Sequence, residues 1–529
     1  MQRLRILSLP LAGLSLTFSL QTQAATALTS AVCAPPVAPV DMSVPNVVVG
    51  TGTAASCTET ALANAIAKGG KITFNCGGAA TIYINSQKKL RSDIDTTIDG
   101  KGLITLDGQN KTRILFYSGP NWQKTARRIT IQNITFRNAK STGPAIPYAP
   151  APCSQGTDVD GGGAAIFARD GILRVFNSQF ITNKAPSIGP DVAGGGIYAV
   201  GMMETTVVGS VFSGNTGANG AAIGSLFGNL KVYNSRFTDN IATGSGANSI
   251  STSTCSYAGG QVGNGGNGGA ISIDGAEIFS VQVCGSSFQR NKSGVNAFGG
   301  ALFRTVNTSR QPTQITKSTF DSNVASKGGG ALYIHNSSLK IEATTLSNNS
   351  STGAGGGIFV DGSALTFINS TFFKNISTKG VGGAMASFGN TGSLTNLTFA
   401  GNQASGGPGY FGAAIFGDNL TVRNTLFANN TTNDCGSPMA CRAPGSSGSP
   451  NLQWPNKHLI CTNPDPLCTS GTQFKDPLLP TALAYNGGPT ATLKPAAGSP
   501  AYNTGTSCPA TDQRGVARPP SACTQGAVQ

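Results

Sequence analysis

The sequence predicts an all-β solenoid, a parallel β-helix with an N-terminal cap helix and a disulfide-pinned C-terminal cap. Three observations predict it. One short phrase recurs nine times: a glycine pair and a small aliphatic run, as in Gly329-Gly330-Ala331-Leu332-Tyr333, then Phe-x-x-Asn or a near copy. The copies are Phe180/Asn183, Phe212/Asn215, Phe237/Asn240, Phe288/Asn291, Phe320/Asn323, Leu346/Asn349, Phe372/Asn375, Phe399/Asn402 and Phe427/Asn430, at steps of 32, 25, 51, 32, 26, 26, 27 and 28 residues. Glycine makes up 71 of 529 residues and only 11% are charged, with no Gly-X-Y period, so neither collagen nor a disordered chain fits. Short β-branched runs are separated by turn residues, with no helical pattern between them.

The chain opens on an export signal over residues 1–27. Arg3 and Arg5 form a basic start, Ile6 to Leu20 is apolar, and Thr22-Gln23-Ala24 and Ala25-Thr26-Ala27 offer small residues for cleavage. The apolar run is too short to favour a spanning helix, and no later segment reaches that length. Residues 28–70 read as an extended arm and a cap helix. Ser56-Cys57-Thr58-Glu59 fits a capping box with Ser56 at N-cap. Leu62, Ala65 and Ile66 share a helical face, and Gly69-Gly70 end the helix. Such a helix covers the open end of a solenoid.

The β-helix is expected over residues 71–431. Its first runs are Lys71 to Asn75, Ala80 to Asn85, Thr96 to Ile98, Leu103 to Leu106, Ile114 to Tyr117 and Ile129 to Phe136, parted by Asp99-Gly100, Asp107-Gly108 and Ser118-Gly119-Pro120. In the nine copies one column is aliphatic throughout: Ile166, Ile197, Ile223, Ile271, Leu302, Leu332, Ile358, Met385 and Ile415. It should point inward and stack, coil on coil, at roughly 4.8 Å. The Phe positions should form a second ladder, and each Asn should sit at a turn, satisfy backbone groups and stack on its neighbour. Two insertions, Ala139 to Asp160 with Tyr148 and Cys153, and Ile241 to Asn267 with Cys255, leave the same corner of the coil. Residues 432–529 form the C-terminal cap and a last, compositionally distinct segment.

Twelve cysteines suit an oxidising compartment. Close spacing suggests Cys57 with Cys76, Cys435 with Cys441, Cys461 with Cys468, and Cys508 with Cys523. The partners of Cys33, Cys153, Cys255 and Cys284 stay open. The formal charge of +14 falls to +12 once Arg3 and Arg5 leave with the signal. A basic exported protein attracts polyanions such as acidic polysaccharide or a cell surface. No Lys/Arg run interleaves with aromatics, so nucleic acid is not expected.

The Gly-Gly-Ala-Ile and Phe-x-x-Asn pairs resemble the repeats of the polymorphic outer membrane protein family, which implies a right-handed parallel β-helix of the pectate-lyase-like superfamily on a bacterial surface. The tail resembles the choice-of-anchor Q domain in Asp476-Pro477-Leu478-Leu479, Asn486-Gly487-Gly488-Pro489, Gly498-Ser499-Pro500-Ala501 and Asp512-Gln513-Arg514-Gly515-Val516-Ala517-Arg518-Pro519. That likeness implies a secreted or surface-held protein; residence in the periplasm is the other address. Both families are defined by architecture, so neither implies an activity.

If the aliphatic column faces in, the next residue and the one two further on face out. This gives an aromatic stripe of Phe167, Tyr198, Phe303, Tyr333, Phe359 and Phe416, and a polar stripe of Arg169, Asp274, His335, Asp361 and Asp418. Aromatic faces suit sugar rings, and His335 with Asp361 in adjacent coils is the candidate acid–base pair. Asp274 and Asp361 precede Gly, which is also a turn signal. Asp158, Asp160 and Asp191 are candidate calcium ligands; no other cofactor is called for. The expected function is a secreted, monomeric β-helix protein that binds polysaccharide or a cell-surface glycan along its sheet face. The alternatives are a polysaccharide lyase or glycoside hydrolase acting in a groove beside the insertions, and a structural surface adhesin.

Overall fold

The structure, a computed structural model, describes residues 31–142, 162–189, 191–246, 265–275, 279–406, 412–417, 419–443, 445–458, 461–519 and 521–529. The export signal, Tyr148, Cys153, Asp158, Asp160, Cys255 and Asp418 lie outside them.

The described residues between 71 and 475 wind as a parallel β-helix. A front sheet stacks twelve strands in parallel, from Lys88–Lys89 through Ile166–Arg169, Ile271–Asp274, Leu332–His335 and Ile358–Asp361 to Cys441–Arg442. Each coil then crosses a side sheet of 25 strands, and most coils from Thr216–Gly217 to Thr431–Thr432 return to the front by a short ledge of two-residue strands. Register keeps like on like: Ile166 pairs with Ile197, Ile197 with Ile223, and so on to Ile415. Every member of that column is buried, so the inward ladder is real and the core runs the length of the solenoid.

The Phe and Asn of the repeat are scaffold. Rings from Phe136 to Phe320 stack with centroids 4.6–5.2 Å apart and planes within 8°. Leu346 interrupts the stack, which resumes over Phe372, Phe399 and Phe427. From Asn183 to Asn402 each side-chain amide donates to the Asn Oδ1 of the next coil, the last to Asn430, at 2.9–3.0 Å. Each also donates to the carbonyl of the Phe or Leu one coil back. The backbone N–H of each Asn up to Asn402 donates to the same Oδ1 that takes its amide. Exposure of these nine side chains is 2% or less, so each would otherwise strand polar groups out of water.

Helix α1 (Glu59–Lys68) covers the first coil with Leu62, Ala65 and Ile66. Its N-cap is Thr58, whose hydroxyl accepts from Ala61 N–H, rather than Ser56. A 3-10 turn over Ala54–Ser56 takes up the earlier residues and starts the helix two positions later. Glu59 serves the cap by reaching outward to Asn85, Ser86 and Lys88. Burial raises its pKa, and the Lys88 ammonium with the Asn85 and Ser86 donors overrides it, holding the carboxyl at about 2. A depressed native pKa supplies stability above the ordinary value of 4.5 and loses it as pH falls toward 2. Glu59→Gln is expected to cost ~1 kcal/mol at neutral pH, after allowance for solvent screening, and to flatten acid destabilisation over that window. Thermal melts from pH 6 to pH 2 check this, and an unchanged acid limb would remove Glu59 from the linkage.

Three expectations need correction. Thr96–Ile98 and Leu103–Leu106 belong to one strand, Thr96–Asp107, because a bulge between Asp99 and Ile104 absorbs the Asp-Gly turn. The C-terminal cysteines pair Cys435 with Cys461 and Cys441 with Cys468, not with their near neighbours. Their separations of 26 and 27 residues are one coil, so each bridge joins stacked positions. Residues 432–475 thus continue the solenoid, with strands Asn451–Trp454 and Thr472–Phe474 extending the side sheet. Cys57 is bridged to Cys76, Cys508 to Cys523, and Cys33 to Cys284.

The chain's two ends act as straps on the side sheet. Its corner carries Asn133, Asn177, Asn234, Asn369, Asn396 and Asn424 at φ +46 to +55°. Asn234 holds Cys33 by an amide pair, and Gln132 holds Val40. Asn369, Asn396 and Asn424 donate to Thr511, Thr524 and Thr506, so residues 476–529 fold back along the flank instead of sealing the end. Gln513 reaches Thr345 and Thr371 in the same strap.

Candidate functional site

The straps occupy the side sheet, which leaves the front sheet as the place to seek a site. Its outward row runs Phe116, Phe167, Tyr198, Gly224, Ser272, Phe303, Tyr333, Phe359, Ala386 and Phe416 in register. The row divides in two. Phe167, Tyr198 and Phe303 are 0%, 1% and 3% exposed, so their rings are not part of the open sheet surface that the expected stripe requires. Phe167 stacks on Phe116, and the Arg113 guanidinium lies 5.2 Å from its centroid. Ala193 packs on Tyr198, whose hydroxyl donates to the Asp191 carbonyl. Arg169 turns to the Trp122 ring, 5.3 Å from its centroid, and to the Asp170 carboxylate at 3.4 Å. These covers come from turns and loops whose sequence shows no periodicity.

From Tyr333 onward the row opens. Tyr333, Phe359 and Phe416 are half-buried, Phe388 is 37% exposed, and Phe298 leans in from the loop before Gly299. Tyr333 meets Phe359 edge-on at 5.3 Å, Phe359 meets Phe388 at 5.2 Å, and Phe388 meets Phe416 at 5.3 Å. Phe298 sits 4.5 Å from Tyr333, with the Lys327 ammonium 5.0 Å from its ring. The result is an amphipathic strip four coils long. Strand pairing places His335 directly beside Asp361, with Nδ1 3.3 Å from the carboxylate and both side chains about two-fifths exposed. Burial, then the Asp361 charge, pushes the Tyr333 phenol up. Arg310 donates to the Gly362 carbonyl next to the pair.

Asp274 lies apart from His335 and Asp361, in the gap where the row carries Gly224 and Ser272. Its carboxylate accepts from Gly275 N–H and the Asn307 amide. Asp274 with Asp191, Tyr198 and Phe303 lines a small cavity of about 20 Å³, room for one water-sized group. The sequence signal for this gap was present, because two small residues break an aromatic column.

Residues 317–335 and 343–361 match the Chlamydia polymorphic membrane protein repeat model. No curated protein sequence matches. Among solved structures the chain is similar to tailspike protein 3 of bacteriophage CBA120, at 11% identity, over 76% of this chain and 62% of that one, with TM-score 0.32. It is also similar to a mannuronic acid-specific polysaccharide family 6 lyase from human gut microbiota, at 11% identity, over 75% and 85%, with TM-score 0.28. A third is the A-module of a mannuronan C-5 epimerase from Azotobacter vinelandii, at 10% identity, over 81% and 100%, with TM-score 0.25. The chain spans less than two thirds of the tailspike's length. At these identities and TM-scores the likeness does not extend to a shared site.

Proposed function

We propose that the protein binds polysaccharide along the open half of its front sheet. One observation carries this reading: an uninterrupted strip of part-exposed rings, Tyr333, Phe359, Phe388 and Phe416, on the face that the terminal straps leave bare. A soluble protein has little reason to expose contiguous aromatic surface unless something covers it. Ring faces suit the apolar faces of sugars, and Lys327, Arg310 and the overall positive charge favour an acidic polymer. Five disulfides among the described residues fit an oxidising compartment, so we place the protein outside the inner membrane, secreted or at the cell surface. Among the described residues no helix is long and apolar enough to cross a membrane.

The test is retention on columns of acidic and neutral polysaccharides. The Tyr333→Ala/Phe388→Ala double variant is expected to bind about tenfold more weakly, since exposed aromatic contacts contribute about 0.5–1.5 kcal/mol each. An unchanged melting temperature certifies the fold. Equal retention of variant and parent would remove the strip from the reading, and cell binding without glycan retention would favour an adhesin.

The contact between His335 and Asp361 supports a second reading, in which the strip presents a chain to a lyase or hydrolase centre. Released oligosaccharide in the same screen, abolished by His335→Ala or Asp361→Ala, is its expected result. Product formation that survives both changes would place the chemistry elsewhere.

A further inference from the structure

We propose that the cavity between Tyr198 and Phe303 binds a primary ammonium group, namely the amine of an amino sugar. The sugar assignment rests on the polysaccharide reading above; the ammonium site does not. The cavity exists because the outward row carries Gly224 and Ser272 where its neighbours carry rings. Ala193 fills the place over Gly224, where an added Cβ would lie 2.2 Å from the Ala193 Cβ. The space over Ser272 stays open. Tyr198 and Phe303 wall it, and Asp191, Asp274, Asn219, Asn267 and Ser225 supply polar lining.

Two of these groups lack partners. Among the described residues the Ser272 hydroxyl makes no hydrogen bond, although the residue is only 8% exposed, and it lines the cavity. That hydroxyl opens on the cavity, where it is available to a ligand's polar group in place of water. The Asp191 carboxylate has neither a hydrogen-bond donor nor a cation among the described residues. Burial, with the Asp274 charge added, pushes Asp191 up to about 7. A cation seated between the two carboxylates would remove that repulsion and keep both ionised.

The walls select the kind of cation. Calcium takes six to eight oxygen ligands, and among the described residues no group of three acids, histidines or cysteines converges anywhere. Two sides of this cavity are rings, which disfavour an oxygen-only shell and favour an organic cation by cation–π attraction. An ammonium has three donors, matched by Asp191, Asp274 and the Ser272 hydroxyl. The pyranose ring of an amino sugar would then lie toward the mouth, in line with the row that leads to the open strip.

Isothermal titration of the full chain with glucosamine, N-acetylglucosamine, methylammonium chloride and calcium chloride tests the proposal. Glucosamine and methylammonium are expected to bind, N-acetylglucosamine is not, and Asp191→Asn and Ser272→Val should each weaken glucosamine at least tenfold. Phe388→Ala, outside the cavity, should leave glucosamine binding unchanged. Melting temperatures identify any variant that misfolds, and the two variants act through different side chains. Binding of N-acetylglucosamine equal to that of glucosamine, binding of calcium alone, or indifference to both cavity variants would overturn the proposal. Methylammonium without glucosamine would overturn the sugar assignment. Glucosamine bound at the cavity by a protein that no polysaccharide column retains would sink the strip reading and leave this one standing.

Discussion

Asn323→Ala is expected to destabilise the solenoid by about 3–5 kcal/mol, since it strands several buried polar groups at once. The Asn323 Oδ1 accepts from both the backbone and side-chain N–H of Asn291, at 3.0 and 2.9 Å. Its amide donates to the Phe288 carbonyl and to Asn349 Oδ1, each at 3.0 Å. Alanine removes all four bonds and admits no water, because the position is 0% exposed. Urea unfolding followed by circular dichroism reads the loss. Hydrogen exchange at the Asn291 amide shows whether it is local, as expected where coils contact only their neighbours. A cost below about 1 kcal/mol would mean that the Asn ladder fills space without satisfying the backbone.

The second large effect is expected at Gly330. A Cβ there would lie 1.9 Å from the Gly356 carbonyl oxygen of the next coil and 2.7 Å from the Ser350 backbone. Both obstacles are main chain, held by the strand pairings on either side, so neither can swing away. Gly330→Ala should therefore pry two coils apart, at a cost above about 3 kcal/mol. Gly329 beside it has φ +66°, so its replacement adds backbone strain as well. Gly389, with φ +62° and nothing within 4 Å of an added Cβ, is the control, and Gly389→Ala should cost only about 1 kcal/mol. Comparable unfolding midpoints for Gly330→Ala and Gly389→Ala would contradict the steric account.

Much of this architecture was readable because the repeat writes each contact many times. An aliphatic residue in every copy of one column can only face inward, and Ile166 to Ile415 do. A further ladder is equally legible, in a Ser/Thr column beside the Phe. Ser178, Ser210, Ser235, Ser286, Ser318, Thr344 and Ser370 stand two residues before the Phe or Leu. From Ser178 to Thr344 each takes its backbone N–H to the hydroxyl of the next coil. Period alone could not reveal Arg304, which sits in an inward column between Ile273 and Ile334. Burial pushes that arginine down to about 9, and it stacks over Phe279 with its centre 4.7 Å from the ring.

By itself the sequence determined the coil: its period, its inward column, its Phe and Asn ladders and the helix that covers its first turn. These are local preferences repeated at a fixed spacing, and parallel stacking converts spacing directly into contact. Only the tertiary structure decided which outward residues are surface. Phe167 and Phe359 occupy the same column of the same sheet, yet one is sealed under Arg113 and the other stays part-exposed beside Phe388. The cover comes from turns, loops and chain ends that carry no period. For the same reason Cys435 and Cys441, six residues apart, are bridged one coil onward rather than to each other.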